Sequence, residues 1–119
     1  MNYENLPVYK STFDLLLQVY RISGNMQREY RFTLAEQLKL RLQELLSLIY
    51  QANICDDKLK GIGDCRRKLV EARVLFQLAQ ELNQFKDKQS AQLSIKVSDI
   101  SKQLQQWENY FKKQGEKKN

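Results

Sequence analysis

Arg66 and Arg73 stand seven residues apart in the stretch GIGDCRRKLVEARVLFQL. On a helix that spacing makes two turns, so both guanidinium groups project from one strip. A guanidinium is planar, permanently charged and forked to match phosphate oxygens. The chemistry on offer is therefore anion binding, repeated along a helix and reinforced by the neighbouring Arg67. Arg21, Arg28 and Arg31, around the end of the first helical segment, and Lys39 and Arg41 in the second are the other candidates for phosphate contact.

Other reactive side chains form no such pattern. The chain has no histidine, the commonest general base. It has no Gly-rich phosphate loop. Asp56, Asp57 and Asp64 fall where a loop and a helix cap are expected, without the Glu-x-x-His partner that helical metal sites use. Cys55 and Cys65 lack metal-ligand spacing and read as ordinary small residues at helix ends. Tyr20, Tyr50 and Trp107 read as core or core-rim residues. The residues thus predict no catalytic site, metal or cofactor. Two binding classes remain: an oligomeric RNA- or ribonucleoprotein-binding accessory factor, and a protein–protein adaptor.

The elements that must position the arginines are helices. One proline and four glycines in 119 residues leave little to break a helix. The periodicity predicts one domain over 1–119, with helices at about 8–24, 33–54, 64–86 and 90–113. Phe13, Leu16, Leu17 and Tyr20 make the apolar face of the first, and Gly24-Asn25 is its stop. Thr33 and Glu36 have capping-box spacing ahead of Leu34, Leu38, Leu42, Leu45, Ile49 and Ala52. Residues 56–64 read as a loop, with Asp64 capping the third helix, and Ser90 is placed to cap the fourth. The fourth carries a seam of Leu93, Val97, Ile100, Leu104, Trp107 and Phe111, with Ile95 outside it. No strand pattern competes. Short connections make the expected fold an all-α, antiparallel up-down-up-down four-helix bundle.

The third helix has too much apolar surface for that fold. Cys65, Leu69, Ala72, Phe76 and Ala79 form its main stripe, and Val70, Val74, Leu78 and Phe85 a second side. A bundle covers one side well. The second is expected to meet another copy of the chain or another protein. Net charge is +6, of which Lys112, Lys113, Lys117 and Lys118 against Glu116 place +3 in a tail at 112–119. The N-terminus lacks a signal-peptide layout and no apolar run could span a bilayer, so a cytoplasmic protein without disulfides or membrane contact is expected.

The strings YRFTLAE, LIYQAN ending at Asn53, CRRKLVEARVLFQLAQELNQF and SKQLQQW at 101–107 resemble the accessory variability determinant (Avd) proteins of diversity-generating retroelements. The resemblance runs from about Pro7 to Phe111. It implies a non-catalytic four-helix bundle that assembles as a pentamer with a basic surface. It also implies association with the element's reverse transcriptase and template RNA, in support of mutagenic retrohoming. The four-helix bundles encoded within ribosomal RNA intervening sequences are a related family and the alternative reading. No motif carries binding residues over from either family.

Overall fold

A computed structural model of the chain describes residues 2–118, with side chains as far as residue 115. Lys117 and Lys118 of the expected basic tail therefore lie outside the described side chains, whereas Lys112 and Lys113 sit on the last helix. A 3-10 turn at Tyr3–Asn5 precedes α1 (Pro7–Ser23), a four-residue α2 (Arg28–Arg31), α3 (Leu34–Ile54), α4 (Lys58–Glu81) and α5 (Asp87–Lys118). No strand occurs among the described residues.

The four long helices pack in the cyclic order α1, α3, α4, α5, leaving α1 and α4 at opposite corners. Gln103 of α5 meets Ser11 of α1 while Lys96 meets Asp14. Lys68 of α4 meets Glu44 of α3 while Gly61 abuts Ala52. In both pairs residue numbers rise along one helix as they fall along the other. The body measures 54 × 20 × 20 Å.

The core takes the stripes of α3 and α5 as the sequence lays them out. Leu34, Leu38, Leu42, Leu45, Ile49 and Ala52 are buried in one core with Leu93, Val97, Ile100 and Leu104, with Trp107 and Phe111 packed at the edge. From α4 come Ile62, Cys65, Leu69, Ala72 and Ala79. Burial pushes the Cys65 thiol up to about 12, so it stays protonated and packs as a small apolar group.

Several local expectations are corrected. The α1 core face is Val8, Thr12, Leu15, Leu16 and Val19, and Phe13, Leu17 and Tyr20 point outward. Thr12 can be buried because its hydroxyl donates to the Val8 carbonyl at 2.8 Å. Tyr50 is exposed like Tyr20.

The capping box at Thr33 does not form. The Thr33 hydroxyl donates back to the Glu29 carbonyl at 2.7 Å, and Glu36 pairs with Lys39. The short α2 turn leads directly into α3.

Helix α4 starts six residues before Asp64, at Lys58, and Asp57 caps it by accepting from the Lys60 N–H at 3.1 Å. Gly61 and Gly63 are therefore helical. At Gly61 the reason is contact: a Cβ there would stand 2.9 Å from Ala52 Cα and 2.9 Å from Cys55 Sγ. Glycine lets α3 and α4 close at their turn.

The other end of α4 comes earlier than 86, at Glu81. Asn83 adopts φ 57°, the Asn83 N–H reaches the Gln80 carbonyl at 3.0 Å, and the Gln84 N–H reaches Ala79 at 2.9 Å. This is a Schellman termination with asparagine in the left-handed position. Ser90 is no cap either. It lies inside α5 and its N–H donates to Lys86.

Candidate nucleic-acid interface

The α4 sequence places its arginines between its two apolar stripes, on the side next to α5. Arg66, Arg67 and Arg73 line one hollow between these helices, about 360 Å³ in volume, together with Val70, Ser101 and Glu108. The three are not equivalent. Arg66 donates to Glu108 Oε1 at 2.8 Å, and Lys112 reaches the same oxygen at 3.2 Å. Burial pushes the Glu108 carboxyl up, but bonds from Lys112 and Arg66 outweigh it and hold the group below the usual carboxylate range. Arg67 pairs with Asp64 one turn earlier, and its side chain is 73% exposed against 40% for Arg66. Arg73 is exposed and has no acidic partner among the described residues.

The remaining basic candidates lie elsewhere. Lys39 pairs with Glu36 at 3.2 Å and sits 4.4 Å above the Tyr20 ring, at the α1–α3 edge. Arg41 is held by Glu44 at 2.6 Å and by Gln37 at 3.1 Å. Glu44 also accepts from Lys68, the main cause of its lowered pKa, so this cluster is a cross-link between α3 and α4. Arg21 borders a groove between α1 and α5 with Asp14, Gln18 and Lys96. Arg28 and Arg31 lie on α2 at one end of the bundle, Arg31 with its Nε turned inward. Of the eight basic residues singled out in the sequence, the fold gathers Arg66, Arg67 and Arg73 in one hollow.

The second apolar side of α4 is uncovered. Val70 is 57% exposed, Val74 56% and Leu78 47%. Phe85 does not belong with them. It is buried, because the Asn83 turn has already redirected the chain and points its ring into the core.

A second uncovered apolar surface, missed in the sequence, runs along α1. Phe13, Leu17 and Tyr20 are exposed there. Tyr9 stacks on Phe13 with centroids 6.5 Å apart, and Tyr3 meets both Tyr9 and Tyr50 edge-on at 5.2 and 4.8 Å. Tyr9, Phe13, Leu17 and Tyr20 have helical spacing. That signal is present in the sequence but looks the same as a core face.

No helix among the described residues is long and apolar enough to cross a membrane. The family model for bAvd-like proteins matches residues 8–111, a span that enters all four long helices. No curated protein matches the chain.

Proposed function

The chain belongs to the bAvd-like family, and from that premise we propose that it is a non-catalytic accessory protein of a diversity-generating retroelement. It works in the cytoplasm as a homo-oligomer that holds the element's template RNA and binds its reverse transcriptase during mutagenic retrohoming. The observation that carries the RNA part is the gathering of Arg66, Arg67 and Arg73 in one hollow beside α5. Arginine forks there meet phosphates, and repetition around an oligomer multiplies a field that one chain's +6 understates.

The positions of the apolar faces support the assembly. The aliphatic face of Val70, Val74 and Leu78 is on α4, and the aromatic face of Phe13, Leu17 and Tyr20 is on α1, at opposite corners of the bundle. Two different patches that point apart pair head to tail, and a head-to-tail contact that closes makes a ring. Five subunits is the number the family resemblance implies.

The test is co-purification. The tagged chain, expressed with the reverse transcriptase and template repeat of its own element, should retain both through a wash at moderate salt. Retention of neither would contradict the proposal. Retention of the enzyme after the RNA has been digested, with no RNA binding by the chain alone, would favour the adaptor reading, which the acid partners of Arg66 and Arg67 support.

A further inference from the structure

Arg73 borders two adjoining spaces. One is the arginine hollow, and the other is a cleft of about 360 Å³ farther along the α4–α5 groove. The two differ in chemistry. The hollow sets the charged side chains of Arg66, Arg67, Arg73 and Glu108 beside Leu69 and Val70. The cleft is floored by Phe76, Phe85, Leu93 and Val97 and edged by the amides of Gln77 and Gln80 and the hydroxyl of Ser94. Phe85, Leu93 and Val97 belong to the core, so the floor is fixed by packing.

We infer that this cleft takes one unpaired base of single-stranded RNA while Arg73 holds the adjacent phosphate. The inference rests on the RNA-binding reading above and adds a site to it. A nucleotide is a flat, largely apolar ring with a polar edge, joined to an anion. The groove offers the same sequence of partners: an apolar floor, amides that both donate and accept, and a cation without an acid partner at the mouth. The Arg66–Arg67–Arg73 hollow then carries the phosphates on one side of the bound base. A base in a duplex cannot enter, because its edge is paired and its faces are stacked. The cleft therefore selects single strands, whereas the hollow alone would accept either form.

The test uses the full chain and fluorescence anisotropy with two probes: a 12-nucleotide single-stranded RNA and a duplex of the same composition. Ser94 is exposed on α5, so Ser94→Trp fills the cleft without removing charge. The variant should bind the single strand about tenfold more weakly, the scale of one base unstacked from its site, and keep its affinity for the duplex and its salt slope. Gln77→Ala with Gln80→Ala, which removes the polar edge, should act in the same direction should Ser94→Trp fail to fold. Parent-like single-strand binding by both variants, or equal weakening on both probes, would overturn the cleft and leave the arginine hollow standing. A Ser94→Trp chain that binds RNA normally but no longer captures the reverse transcriptase would make the cleft a protein contact and also overturn it. A parent that binds neither probe would instead remove the RNA reading itself.

Discussion

Arg66 Nη1 donates to Glu108 Oε1 at 2.8 Å, across 42 residues of sequence, so one of the paired arginines on α4 is already occupied. Arg73, two turns on, has no such partner among the described residues. The strip is thus one restrained guanidinium and one free one. Arg73→Gln should weaken RNA binding more than Arg66→Gln. Glu108→Gln should release Arg66 and strengthen binding at low salt. The log–log salt slope should steepen by about 0.7, the increment for one further single-strand phosphate neutralised. An affinity unchanged in Glu108→Gln would show that Arg66 does not touch RNA even when free.

Glu108 and Glu44 should each add to the acid sensitivity of the fold. Glu108 is held below the usual carboxylate range by bonds from Lys112 and Arg66 that outweigh its burial, and Glu44 chiefly by its bond from Lys68. A depressed folded value means that the unfolded chain binds more protons in the window from those folded values up to about 4.3, the ordinary glutamate value. Stability is therefore complete above that window and declines as pH falls through it. The urea midpoint should drop between pH 6 and pH 3, and the drop should shrink in Glu44→Gln with Glu108→Gln. An equal drop in that double variant would place the acid sensitivity elsewhere.

The two helical glycines of α4 should respond in opposite directions to alanine. At Gly61 the new methyl would meet Ala52 Cα at 2.9 Å, a backbone atom that cannot swing away, so α3 and α4 must part. Overpacking of this kind costs about 1–3 kcal/mol, more than the helix propensity gained. At Gly63 the nearest atom is the mobile end of Arg67 at 3.7 Å, and alanine should stabilise by up to about 1 kcal/mol. Denaturant midpoints of the two single variants decide the sign of each.

The head-to-tail assembly makes a mixing prediction. Val74→Lys places a charge in the α4 face and Leu17→Lys places one in the α1 face, and each should dissociate the oligomer without loss of helicity. Each variant keeps the face that the other has had disrupted. Mixed together they should form a one-to-one pair, and light scattering should read twice the 14.2 kDa protomer. If Leu17→Lys assembles like the parent while Val74→Lys does not, the α4 faces pair with each other and no ring is built this way.

The sequence is most legible where one physical effect dominates. The α3 and α5 stripes, from Leu34 to Ala52 and from Leu93 to Leu104, are regular and buried as spaced. The α1 face is misplaced because large apolar side chains outvote Thr12, whose hydroxyl is satisfied within its own helix. The start of α4 is misplaced because Gly61 and Gly63 look like breakers, and the need for close approach at Ala52 exists only once two helices meet. The Asn83 turn is hidden because asparagine is a weaker signal than glycine for a left-handed residue. Of the site, the shared strip of Arg66 and Arg73 follows from spacing alone. The bond to Glu108 and the cleft beside Arg73 depend on how α5 lies against α4, which no local pattern encodes.

Arginine–phosphate pairing on α4 is tested most directly by the salt dependence of RNA binding. A single-stranded RNA is titrated with the parent and with the double variant Arg66→Gln, Arg73→Gln at a series of salt concentrations, with helicity and oligomer size checked at each. The parent should weaken steeply along a straight log–log line. The double variant should show a shallower line, reduced by about 0.7 for each phosphate that is no longer neutralised, at unchanged helicity and size. A double variant whose affinities coincide with the parent's at every salt concentration would contradict the account.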